Sequence, residues 1–125
     1  MAQPEERFYT VEEANAALDE VRASLERLRD ARATVIRTAK RVRGRAVTNG
    51  GGAEGRESFE ALRTLREELE SLTGRGIVVR DAESGLIDFP SRREGRLVYL
   101  CWRPNEDRVA FWHEVDAGFT GRRPL

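Results

Sequence analysis

Residues Thr10 to Val42, TVEEANAALDEVRASLERLRDARATVIRTAKRV, decide the fold. Thr10 followed by Glu13 has the spacing of a capping box, and Phe8 or Tyr9 stands where a hydrophobic staple would. Behind the cap, Ala14, Leu18, Val21, Leu25, Leu28, Val35, Ala39 and Val42 recur in steps of four and three, with Arg32 filling the one gap. That is a coiled-coil seam and predicts one helix from Val11 to Val42, about 50 Å long at 1.5 Å per residue. So long a helix in so small a chain has to project from the rest or pack in an oligomer.

Outward from this helix the chain changes twice. Asn49-Gly50-Gly51-Gly52 cannot hold a helix. Beyond it Leu62, Leu65, Leu69 and Leu72, with Phe59 beside them, form the stripe of a second helix that Gly74 stops. The connector is short, so the helices fold back as an antiparallel pair, the second covering only the C-terminal part of the first. After Gly76 the period becomes that of strands. Ile77-Val78-Val79 and Leu86-Ile87-Asp88-Phe89 flank the turn Asp81 to Gly85. Leu97 to Trp102 and Val109 to His113 flank a second turn, and Phe89-Pro90 ends the first hairpin. The expectation is an α+β fold in one domain, residues 1–125: a long helix over 8–43, a flexible loop over 44–55, a second helix over 56–74, two β-hairpins over 77–115 forming a four-stranded antiparallel meander, and an irregular tail over 116–125. Limited proteolysis is expected to cut first in the loop, and the sheet is expected to cover the helix around Ala14 to Val21.

Composition narrows the function. The 125 residues carry 22 basic and 22 acidic side chains, so there is no global pull toward nucleic acid or anionic lipid. No stretch approaches the roughly 18 apolar residues of a membrane span. The acidic start lacks a signal peptide's apolar core. Cys101 alone excludes an internal disulfide and a multi-cysteine zinc site, which favours the cytoplasm. Lys40 is the sole lysine against 21 arginines, as a GC-rich genome would produce.

The candidate chemistry is sparse. His113-Glu114-Val115-Asp116 sets a histidine beside two carboxylates. If Trp102 faces Val109, however, Val98, Leu100, Trp102, Phe111 and His113 share one sheet face, and Leu97, Tyr99, Cys101, Trp112 and Glu114 the other. His113 then cannot share an ion with Glu114 or a proton with Cys101, and Asp116 rejoins it only if the strand ends by Val115. No metal and no cofactor is therefore expected. Asp88 reads as a lone carboxylate at a strand end. An alternative ligand site, which would make the protein a small-molecule or metal binder or an enzyme, is where Asp88, His113, Glu114, Asp116 and tail residue Arg122 converge. Tyr99 and Trp112 would face away from the helix and seek cover from a partner. Arg37, Lys40, Arg41, Arg43 and Arg45 make a basic tip that would contact phosphates if the chain bound nucleic acid. Helix dipole complementation and pairing with Glu57, Glu60, Glu67, Glu68 and Glu70 account for the run without a nucleic acid, which is therefore not the expected partner. Glycine-loop nucleotide fingerprints are absent.

Several segments together resemble a known family. They are Phe8-Tyr9-Thr10-Val11-Glu12-Glu13-Ala14-Asn15, Gly85-Leu86-Ile87-Asp88-Phe89-Pro90, Leu100-Cys101-Trp102, and Trp112-His113 followed by Gly118-Phe119-Thr120-Gly121-Arg122-Arg123-Pro124. In this order they resemble the prokaryotic domain of unknown function 2203 family, across nearly the whole chain. Pro104-Asn105-Glu106 stands where that family would have a leucine-glycine-glutamate turn. The resemblance implies an intact prokaryotic domain and carries no activity, cofactor or catalytic residue. The reading is thus a cytoplasmic, non-enzymatic interaction module that self-associates, most simply as a dimer, with no membrane partner.

Overall fold

The computed structural model describes residues 7–44 and 52–125, and side chains outside 42–54. Three helices, α1 (Val11–Ala16), α2 (Leu18–Gly44) and α3 (Gly52–Gly74), precede five strands: β1 (Val78–Asp81), β2 (Leu86–Arg93), β3 (Arg96–Trp102), β4 (Phe111–Glu114) and β5 (Arg123–Pro124). The strands form one antiparallel sheet in the order β1-β2-β3-β4-β5. The α+β class is as expected. The strand count is corrected from four to five, because two residues of the tail pair with β4. Most of the expected flexible loop, residues 45–51, lies outside the described residues, as does Arg45.

The capping box forms as read. Glu13 N–H donates to Thr10 Oγ1 at 3.0 Å, and Thr10 N–H donates to Glu13 Oε1 at 2.9 Å. The Thr10 backbone N–H and hydroxyl hold the Glu13 carboxyl below its ordinary value. A lowered carboxylate pKa stabilises the fold above the unfolded value, and that stabilisation disappears as pH falls through the folded value. Thermal unfolding of wild type and Glu13→Ala should therefore differ near neutral pH and converge in acid, below about pH 4. A gap that persists there would assign the effect to packing.

The long helix is interrupted once. Ala17, with N–H shared between the carbonyls of Glu13 and Ala14, separates α1 from α2. The heptad seam also drifts. Ala14, Leu18, Val21, Leu25 and Leu28 are buried, but further along Ala31 and Thr38 are buried while Ala39 is exposed. A straight helix turns every 3.6 residues, so a strict seven-residue repeat walks off the buried line. α3 starts at Gly52, earlier than expected. It turns Ala61, Glu68 and Leu72 toward α2, where Glu68 accepts from Ser24 Oγ at 2.5 Å and Arg27 Nε at 2.6 Å. Arg37 pairs with Glu57 at 2.7 Å, so part of the basic run is matched across the hairpin.

The core lies between this hairpin and one sheet face. Ala14, Leu18, Val21, Leu25 and Leu28 pack with Leu72, Ile87, Phe89, Leu100, Trp102 and Trp112. The N-terminal part of the helix thus lies on the sheet, as expected. Tyr9 fixes the entry: its hydroxyl donates to the Arg75 carbonyl at 2.6 Å and its N–H to the Pro90 carbonyl at 2.7 Å. Pro90 does not end its strand. β2 continues through it to a two-residue turn, Glu94-Gly95, with both residues at positive φ. Backbone N–H and C=O of one strand residue point to the same side, and on that side of Pro90 stands Tyr9 as a donor, so the missing proline N–H costs no ladder bond. Gly85, at φ 78°, is required by close approach: a Cβ there would stand 2.8 Å from Pro104 Cγ.

Candidate functional site

The register of β3 against β4 determines which side chains meet. Val98 pairs with Glu114, Tyr99 with His113, Leu100 with Trp112 and Cys101 with Phe111. This is one residue out of step with the expected facing of Trp102 and Val109, and a one-residue slip moves every side chain to the other face. A contact from outside the hairpin accompanies the change. Val109 N–H donates to Asn15 Oδ1 of α1 at 2.8 Å, so Val109 leaves the ladder and β4 begins at Phe111. The expected face assignment is corrected accordingly. Trp112, 5% exposed, faces the helices in the core and is no interaction surface. Tyr99 lies on the opposite face, with Arg80 stacked 4.8 Å from its ring centre.

Cys101 and His113 therefore share the open face, and Asp88, the pair partner of Cys101 on β2, joins them. All three are buried. Asp88 is no lone carboxylate at a strand end. Its Oδ2 accepts from Arg80 Nε at 2.7 Å and lies 2.9 Å from His113 Nε2. His113 Nδ1 lies 2.7 Å from the Glu114 carbonyl, which can only accept, so Nδ1 donates. One proton lies between Nε2 and Oδ2. Asp88 Oδ1 is buried without a hydrogen-bond partner. Burial, reinforced by the nearby Asp88 carboxylate, pushes the Cys101 thiol up to about 12. With its histidine neighbour bonded to Asp88, Cys101 is a protonated thiol and not an activated nucleophile.

These side chains line a cleft of about 320 Å³ together with Arg80, Leu86 and the residues that follow β4, Val115 to Phe119. Asp116 is exposed at its rim, on the same side as His113 because the strand ends at Glu114. Glu114 is not part of the site: it points to the other face and pairs with Arg96. Arg122 is also withdrawn. It donates to Glu106 Oε2 at 2.6 Å and stacks 3.9 Å from the Phe111 ring centre, fastening the tail over the open face. Glu106, marked in the sequence only by the family's leucine-glycine-glutamate turn, organises the β3–β4 loop. Its other carboxylate oxygen accepts Arg103 N–H, and its carbonyl accepts Trp102 Nε1 at 3.0 Å. The loop Pro104-Asn105-Glu106 thus keeps a working glutamate.

A second surface lies on the outer side of α3. Phe59 and Leu62, expected in the helical stripe, are 65% and 49% exposed, and only Leu72 of that stripe is fully buried. With Leu65, Leu69 and Thr73 they line a shallow apolar groove flanked by Arg63, Arg66 and Glu70.

An α+β domain with a helical hairpin on one sheet face and a buried Asp-Cys-His cluster on the other is the class that this geometry defines. The chain belongs to the DUF2203 family of uncharacterized conserved proteins, whose family model matches residues 7–125, all three cluster residues included. No curated protein and no solved structure matches it. No helix among the described residues is long and apolar enough to cross a membrane.

Proposed function

We propose that the protein is a self-associating interaction module whose contact surface is the outer face of α3. The observation that carries this reading is the exposure of Phe59 and Leu62 in one continuous apolar groove with Leu65 and Leu69. A small domain seldom leaves such a strip in water. Its charge order favours a second copy as the occupant. Arg63 and Arg66 precede Glu67 and Glu70 along the helix, so a two-fold axis across the groove reverses the order and sets arginine toward glutamate. A parallel pairing would set like charges together. The buried free thiol of Cys101 is compatible with the cytoplasmic setting that belongs to this reading.

Sedimentation at tens of micromolar is expected to give a dimer for wild type. Leu62→Glu, at an exposed position, should give a monomer with unchanged far-UV helicity. A wild-type monomer at that concentration, or a dimeric Leu62→Glu, would sink the reading.

A further inference from the structure

The cluster on the open face has features that self-association leaves unexplained. A carboxylate oxygen of Asp88, Sγ of Cys101 and a ring nitrogen of His113 all lie within 4.8 Å of one another. We propose that Asp88, Cys101 and His113 form a binding site for a single divalent transition-metal ion of the zinc class.

Four observations support it. The donor set is one thiol, one imidazole and one carboxylate, a mixture that suits zinc or cobalt and disfavours magnesium and calcium, which take oxygen alone. Asp88 is 1% exposed, and its Oδ1 is buried without a partner. Such an orphan in a native core is costly and points to an unmet ligand. His113 is already oriented: its Nδ1 donates to the Glu114 carbonyl and so turns Nε2 toward Asp88, the outer-shell arrangement seen behind zinc-bound histidines. Arg80 occupies only Oδ2 and leaves Oδ1 available.

The fit needs little movement. Ligand atoms on a tetrahedral zinc stand about 3.3–3.8 Å apart, so gathering this set requires shifts of about 1 Å. On binding, Sγ loses its proton and the proton between Nε2 and Oδ2 also leaves, both to solvent. Thiolate and carboxylate then balance the two charges of the ion. The three residues line the cleft whose rim carries Asp116, so a bound ion would take its remaining ligand from that side. A three-residue site with an open position is the pattern of a metal that receives a further ligand, not of one used only as a staple.

Cobalt titration of the full chain, stripped of metal by chelation and dialysis, tests the proposal. The expected result is a thiolate-to-cobalt charge-transfer band with strong four-coordinate visible bands. Both should saturate at one equivalent and be abolished by one equivalent of zinc. Cys101 is the only thiol, so a saturated cobalt complex lacking the charge-transfer band overturns the proposal in wild type alone. Zinc affinity measured by calorimetry should fall in Cys101→Ala by more than the roughly 10–100-fold that loss of an outer-shell partner costs. An unchanged affinity in folded Cys101→Ala also overturns it. Neither readout depends on whether the chain is a dimer.

Discussion

Trp112→Ala is expected to remove about 3–5 kcal/mol of stability, in the range of buried tryptophan truncations. Trp112 is 5% exposed, pairs across the ladder with Leu100 and packs against the helices. The guanidiniums of Arg93 and Arg123 flank its ring at 4.5 and 5.5 Å. A domain of this size has about 5–15 kcal/mol in total, so the variant loses a large share of it. Trp112→Glu should go further and fail to fold. Phe59→Ala, also an aromatic truncation but at a 65% exposed position, should change the unfolding free energy of the monomer by about 0.5 kcal/mol or less. Urea unfolding of both variants under dilute conditions makes the comparison. A loss below about 1 kcal/mol at Trp112 would return that side chain to the surface and reinstate it as an interaction residue.

The second large effect belongs to Asp88. Asp88→Ala strips the acceptor from His113 inside the protein and from Arg80 at its edge, at an expected cost of about 3 kcal/mol. His113→Ala in turn leaves the carboxylate with Arg80 alone. The two residues share a contact, so their effects should not add. A double-mutant cycle in the presence of chelator should return a coupling of about 0.5–3 kcal/mol. Additive losses would mean that the 2.9 Å contact does not stabilise the fold. The Arg96–Glu114 pair on the other face is solvent-exposed and screened, and its removal should cost little.

The contrast between these residues shows what the sequence made legible. The helices announced themselves through local chemistry: the Thr10–Glu13 box, the apolar period and the glycines that follow. The burial of Leu25 and Leu28 in the monomer core followed from that period. The site did not, because its assembly depends on register, and the contact that holds Val109 outside the ladder comes from Asn15, 94 residues away. Counting outward from the β3–β4 turn slips one place, and that slip separates Cys101 from His113 and pairs Tyr99 with Trp112. Pro90 misled for a related reason. A proline ends a strand only where its N–H would have been used, and here Tyr9, far away in sequence, supplies the facing group. Glu106 was marked only by the resemblance at its turn, because its importance lies in contacts made around a loop that no local pattern foretells.

The two ends of the sheet carry a consequence for aggregation. β1 is four residues long, breaks register between Val79 and Asp81, and ends in the charged pair Arg80-Asp81. β5 is two residues long, and Pro124 has no N–H to offer. An unpaired strand is dangerous when it exposes a long, regular row of donors and acceptors on which another chain can add. Among the described residues, neither outermost strand provides one. Both outermost strands are therefore poor templates for strand addition.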